Sequence, residues 1–161
     1  MPLAAKPELL RVTFPSDMEY IPSIRKFVSD LALVAQHTPR FAFRTELVVD
    51  EICSNAVKHG SLRADSTIHL TISLYPDRLE LSIHDTGGKP EDISELKKII
   101  YQLAGEKFAT PIARGRGLAI VKTLANNVLV NTDQAGMTEV KIIKFREDTK
   151  EDEAKFFIAP V

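Results

Sequence analysis

A chain of 161 residues with 44% hydrophobic content is long enough for one domain with a real core. Its 21 basic and 22 acidic residues leave a formal charge of -1, which excludes a global field steering it to nucleic acid or an anionic membrane. The lone cysteine, Cys53, excludes an internal disulfide, the start MPLAAKPELL lacks the marks of a signal peptide, and no apolar run approaches the ~20 residues that cross a bilayer. The expectation is a cytoplasmic protein without a nucleic-acid or membrane partner.

In chain order, residues 9–14 (LLRVTF) alternate apolar and polar positions and predict a half-buried strand ending at Pro15. Ser16 and Glu19 have the spacing of a capping box, and Ile21, Ile24, Phe27, Val28, Leu31 and Leu33 follow at near-helical intervals. Thr38 before Pro39 is a cap followed by a proline suited to the first helical position, and Gly60 is a natural stop, so 39–59 reads as one long helix. Residues 67–75 and 78–85 are rich in β-branched side chains and flank Pro76 and Asp77, which predicts an antiparallel hairpin. An amphipathic helix is expected over 91–104, where Ile93, Leu96, Ile99, Ile100 and Leu103 share a face. Periodicity then breaks down through 105–117, GEKFATPIARGRG, which reads as a loop, and resumes as a helix over 118–126. Strands near 128–133 and 137–145 complete the order. Such an order predicts an α+β fold: a two-layer α/β sandwich whose mixed, mainly antiparallel sheet carries its helices on one face.

On the long helix Glu51, Asn55 and His59 recur every four residues as a polar stripe, with Leu47, Val48, Ile52 and Val57 assigned to other, largely buried sides. A carboxylate and a carboxamide at that spacing can divide two tasks, accepting a proton and binding a hard cation. A solvated helix face with a satisfied histidine near its end has the same pattern. Asp85-Thr-Gly-Gly88 ends a predicted strand, where a carboxylate can accept a hydrogen bond from an amino group and glycine permits close ligand approach; alone it is an ordinary turn. Arg114-Gly-Arg-Gly-Leu118 opens into a helix, and its backbone N–H groups and arginines can hold phosphate or serve as a hinge. Cys53 projects away from Glu51 and reads as a packed thiol.

Taken in order, ExxxNxxxHG on a helix, a strand ending in DxG, a loop ending in GxGL and a last hairpin with Gly136 and Thr138 resemble the Bergerat ATP-binding fold. That superfamily includes gyrase, heat-shock chaperones, histidine kinases and mismatch-repair ATPases. Within it, the short chain and the segment ELVVDEICSNAVKHG look most like the bacterial anti-sigma-factor serine/threonine kinases. The resemblance implies ATP and Mg²⁺, with Glu51 as catalytic base, Asn55 as metal and cofactor ligand, and Asp85 as acceptor for the adenine amino group. Gly87, Gly88 and Thr138 would lie beside adenine, while Arg114, Gly115, Arg116, Gly117 and Leu118 would bound the phosphates below a lid over 105–114. Lys89 stands where the family pattern has its second glycine. The implied partners are an anti-sigma-factor antagonist, which would be phosphorylated, and a sigma factor, which would be sequestered. Residues 1–161 are expected to form a single kinase domain, with 146–161, including Phe156, Phe157 and Ile158, as a tail or homodimer contact.

Overall fold

The computed structural model describes residues 5–59, 65–85, 94, 97–98, 113–132 and 137–147. Strand β1 (Glu8–Pro15) leads through a 3-10 turn (Met18–Tyr20) into α1 (Ile21–Val34) and α2 (Pro39–His59). There follow β2 (Thr67–Leu74), β3 (Arg78–His84), helix α3 (Ala113–Leu124), β4 (Asn127–Thr132) and β5 (Thr138–Phe145). The sheet order is β1-β2-β3-β5-β4, and every described pairing is antiparallel.

Strand alternation decides which face the helices cover. Val12, Leu70, Ile83, Val140 and Val130 lie side by side across all five strands, and Leu10, Ile72, Leu81, Ile142 and Val128 form the next row. These rows bury against α1, α2 and α3 through Val28, Val48, Ile52, Leu118 and Val121. The opposite face carries Thr13, His69, His84 and Glu139 in one row, with His84 Nε2 3.1 Å from Glu139 Oε2, and faces water. The two-layer arrangement with helices on one side is the one expected. Among the described residues no helix is long and apolar enough to cross a membrane.

Local signals explain most element ends. Thr38 caps α2 as expected, its Oγ1 accepting from Phe41 N at 3.0 Å. Asp17, rather than Ser16, caps the turn after β1: its carboxylate accepts from Glu19 N at 2.9 Å, and α1 then starts with a proline in its first turn, where the missing N–H costs nothing. Helix α1 ends in a Schellman turn, with His37 N donating to Ala32 O and Gln36 N to Leu33 O, and Gln36 takes the left-handed position at φ 64°. The helix expected over 91–104 lies outside the described residues apart from Ser94, Lys97 and Lys98, which are helical; of the lid expected over 105–114, residues 105–112 lie outside them and Ala113 and Arg114 belong to α3.

The largest departure is the start of α3, expected at 118 and observed at Ala113. Ala, Arg and Leu favour helix strongly enough to carry Gly115 and Gly117 inside it, at a cost of roughly 1 kcal/mol per glycine. Arg146 is also no free tail. Its guanidinium donates to Pro76 O, Gln36 O and Ala35 O at 2.8–2.9 Å, joining the end of α1 to the β2–β3 turn, and Arg44 pairs with Glu147 at 3.2 Å.

Beneath that junction His37 stacks on Phe41 at 3.8 Å between ring centroids, with neither ring nitrogen hydrogen-bonded. Burial, with Arg146 and Lys144 nearby, lowers its pKa from 6.5 to about 4. Between those values the unfolded chain takes up a proton that the folded chain refuses, so stability falls as pH drops from 6.5 towards 4. Urea denaturation should register a loss of roughly 2 kcal/mol on going from pH 7 to pH 5, and His37→Phe should lack that component.

Candidate nucleotide site

Near the ends of β3 and β5 the apolar pattern of the covered face is broken. Continuing the strand registers one step beyond His84 and Glu139 brings Asp85 opposite Thr138, and Asp85 N donates to Thr138 O at 3.1 Å. Thr138 pairs in turn with Thr132. Asp85 and Thr138 are 6% and 3% exposed, and the hydroxyls of Thr138 and Thr132 are buried without a hydrogen-bond partner. Leaving a buried hydroxyl unsatisfied costs about 1–3 kcal/mol, a cost that an apolar core made for packing alone would avoid. A carboxylate beside two spare hydroxyls offers both acceptors and donors, which suits the polar edge of a heterocyclic base.

Helix α2 runs from the opposite end of the sheet towards this corner. Its start is fixed by Lys144, near the end of β5, whose Nζ lies 4.7 Å from the Phe41 ring centroid and donates to Leu124 O at 3.0 Å. Burial lowers the Lys144 pKa to about 8. The later turns of α2 carry Glu51, Asn55 and His59, all partly exposed, while Val48, Ile52 and Cys53 face the core. The Cys53 thiol is wholly buried and its pKa is pushed up to about 12, so it is a packed, protonated group. Leu47, assigned to a buried side, is 38% exposed, because it stands four residues before Glu51 and shares its stripe.

Glu51 meets α3 at Gly117. A β-carbon on Gly117 would collide with Glu51 Oε2 and would stand 2.7 Å from its Cδ. The third motif therefore reaches the first through a backbone-to-carboxylate contact that only glycine allows without moving the side chain. Burial, to which this contact belongs, is the main cause that raises the Glu51 pKa above its usual 4.5; Asp50 raises it further and Lys58 opposes. A carboxylate made more basic in this way is suited to accept a proton.

The remaining expected site residues fall into three groups. Gly115, Arg114 and Arg116 belong to the first turns of α3, and only their backbone is described. Leu118 is wholly buried and packs in the core. Gly87, Gly88 and Lys89 lie outside the described residues, as does Gly136. Thr132 was not singled out from the sequence; its cross-strand place opposite Thr138 is what identifies it. Among the described residues no group of His, Cys, Asp and Glu forms a metal cluster, so a cation here would depend on a single amide such as Asn55 together with ligand oxygens.

The family model for the histidine kinase-like ATPase domain matches residues 14–144. Among characterised relatives, the serine-protein kinase RsbW of Halalkalibacterium halodurans is 27% identical over 129 residues, covering 80% of this chain and 78% of the relative. RsbW of Bacillus cereus is 28% identical over 153 residues, covering 90% and 91%. Among solved structures, a chain of the SiaB-SiaC complex of Pseudomonas aeruginosa superposes with a TM-score of 0.66 at 16% identity, covering 83% of this chain and 88% of that one. The RsbU and RsbW domains of a Mycobacterium tuberculosis protein give a TM-score of 0.57 at 14% identity, with 86% of this chain and 32% of that one covered. Both structures share the fold.

The contact at Gly117 can be tested directly. Gly117→Ala should keep or raise the melting temperature, since alanine favours helix by about 1 kcal/mol, while displacing the Glu51 carboxylate into water. Carboxyl-detected NMR titration should then find the Glu51 pKa falling back towards 4.5. An unchanged raised value would place its cause elsewhere.

Proposed function

The chain belongs to the histidine kinase-like ATPase domain family, and on that premise we propose that it is an ATP-dependent protein serine/threonine kinase of a partner-switching system. Family membership implies ATP binding. The observation that carries the kinase reading is the meeting of Glu51 with Gly117, which sets a basic carboxylate at the phosphate-binding end of α3. Its support from relatives is the shared likeness to serine-protein kinases named RsbW over most of the chain.

In this reading adenine is held at the Asp85 corner. The Asp85 carboxylate accepts from its amino group, and Thr138, flanked by Thr132, uses its spare hydroxyl on the ring edge. Gly87 and Gly88 leave room beside the base. The N–H groups at the start of α3, shaped by Gly115 and Gly117, face the phosphates, and Arg114 or Arg116 offsets charge there. Asn55 supplies an amide oxygen to Mg²⁺, which when bound neutralises charge on the phosphates. Glu51 orients the acceptor hydroxyl and takes its proton as the hydroxyl oxygen bonds to the γ-phosphorus and the bond from that phosphorus to the bridging oxygen breaks, releasing ADP.

The acceptor is a serine or threonine of a small antagonist protein, and the unphosphorylated antagonist competes with a sigma factor for this chain. Phosphorylation adds close to two negative charges to the antagonist interface, which weakens that complex and frees the kinase to sequester sigma. The system is placed in the cytoplasm, and the chain is proposed to act as a homodimer. The segment 146–161, whose first two residues are also bonded within the chain, is the proposed dimer contact.

Calorimetry together with radiolabelled-ATP transfer to the antagonist tests the assignment. Glu51→Ala should bind ATP within about threefold of wild type and lose transfer by about 100-fold or more, whereas Asn55→Ala should lose the Mg²⁺-dependent part of binding. Undiminished transfer by Glu51→Ala would sink the role given to Glu51. Tight ATP binding by the wild type with no transfer to any protein would leave a module that acts by occupancy alone.

A further inference from the structure

The spacing of four that links Glu51 to Asn55 also runs backwards along α2, to Leu47 and Phe43. These two are 38% and 59% exposed, and Ile120 on α3 is 43% exposed. The two helices run antiparallel: Gly117 lies on Glu51, whereas the far end of α3 at Leu124 is tied to the Phe41 end of α2 through Lys144. At 1.5 Å of rise per residue, Ile120 stands about 4.5 Å past Gly117 and Leu47 about 6 Å before Glu51, so the two come level. Phe43 and Leu47 therefore form an apolar strip on α2 that ends at the Glu51 carboxylate, with exposed Ile120 of α3 at the same level.

Nucleotide and strip fall on opposite sides of Glu51. The Phe41 end of α2 sits by Lys144, and its later turns point towards the Asp85–Thr138 corner at the other end of the sheet. In-line phosphoryl transfer puts the attacking hydroxyl and the leaving diphosphate on opposite sides of the transferred phosphorus. With adenine at Asp85, the hydroxyl arrives from the side of Leu47.

We propose that Phe43, Leu47 and Ile120 are the docking strip for the protein that carries the acceptor hydroxyl, an inference that rests on the phosphoryl-transfer reading of Glu51. A specific protein pair buries about 800 Å² on each partner, so a folded protein that presents a hydroxyl to Glu51 also covers residues one and two helical turns away. The charges beside Phe43 and Leu47 on α2 are engaged within the chain: Arg25 lies 2.8 Å from Asp50 and 3.6 Å from Glu46, and Arg44 pairs with Glu147. Recognition on this side is therefore apolar, and the occupant is a folded protein whose serine or threonine is ringed by hydrophobic surface, not a free acidic or basic peptide.

The test uses Leu47→Ser and Ile120→Ser, singly and combined with Phe43→Ser, in the full chain. All three positions are exposed, so the substitutions spare the core. The probe is the purified protein that the wild-type chain labels from radioactive ATP. Each single variant should raise the KM for that acceptor by about tenfold, with kcat and calorimetric ATP affinity within about twofold of wild type. An unchanged acceptor KM in the triple variant overturns the strip while leaving phosphoryl transfer intact. If that variant instead passes from dimer to monomer at unchanged KM, the strip belongs to a second copy of the chain and the proposal fails. Absence of labelling by the wild type removes the transfer reading and the strip with it.

Discussion

The Glu51 carboxylate lies on the backbone of α3 at Gly117, and the architecture of the candidate site follows from that contact. It requires glycine in a helical position where alanine would be more stable by about 1 kcal/mol. It partly desolvates a carboxylate and makes it more basic. It also holds the start of α3 beside the polar stripe of α2, so that the first N–H groups of α3 and the Glu51 carboxylate converge. A core optimised for stability alone would place an alanine there and leave Glu51 in water.

The second constraint is the polar corner under the same helices. In the middle of the sheet the covered face is built from rows of Val, Leu and Ile across all five strands, and at one end Asp85, Thr138 and Thr132 interrupt it. Lys144 and Arg146 secure the opposite end, where α1, α2 and the β2–β3 turn meet, so the irregular end sits on a well-tied frame.

Much of this was legible beforehand because its signals are local. Thr38-Pro39, the β-branched runs on either side of Pro76-Asp77 and the spacing of Glu51 and Asn55 each encode their own geometry within a few residues. From spacing alone the polar stripe reads better as a solvated helix face, and only its order with Asp85 and the glycines points to ATP. What escaped the sequence depends on distant neighbours. Gly117 looked like loop punctuation, because the carboxylate that demands it is far away in the chain. Leu47 looked like core, although its spacing from Glu51 already put it on the exposed stripe. Thr132 and Arg146 are ordinary residues until sheet register and the end of α1 bring them to their partners.

If Asp85 holds the adenine amino group and Glu51 lies beside the phosphates, calorimetric comparison of ATP with inosine triphosphate in the presence of Mg²⁺ examines that arrangement most directly, because inosine carries a carbonyl in place of the amino group. Binding of the inosine nucleotide should be at least about tenfold weaker, since two acceptors would then oppose each other in a buried site. Equal affinity for the two nucleotides would contradict it.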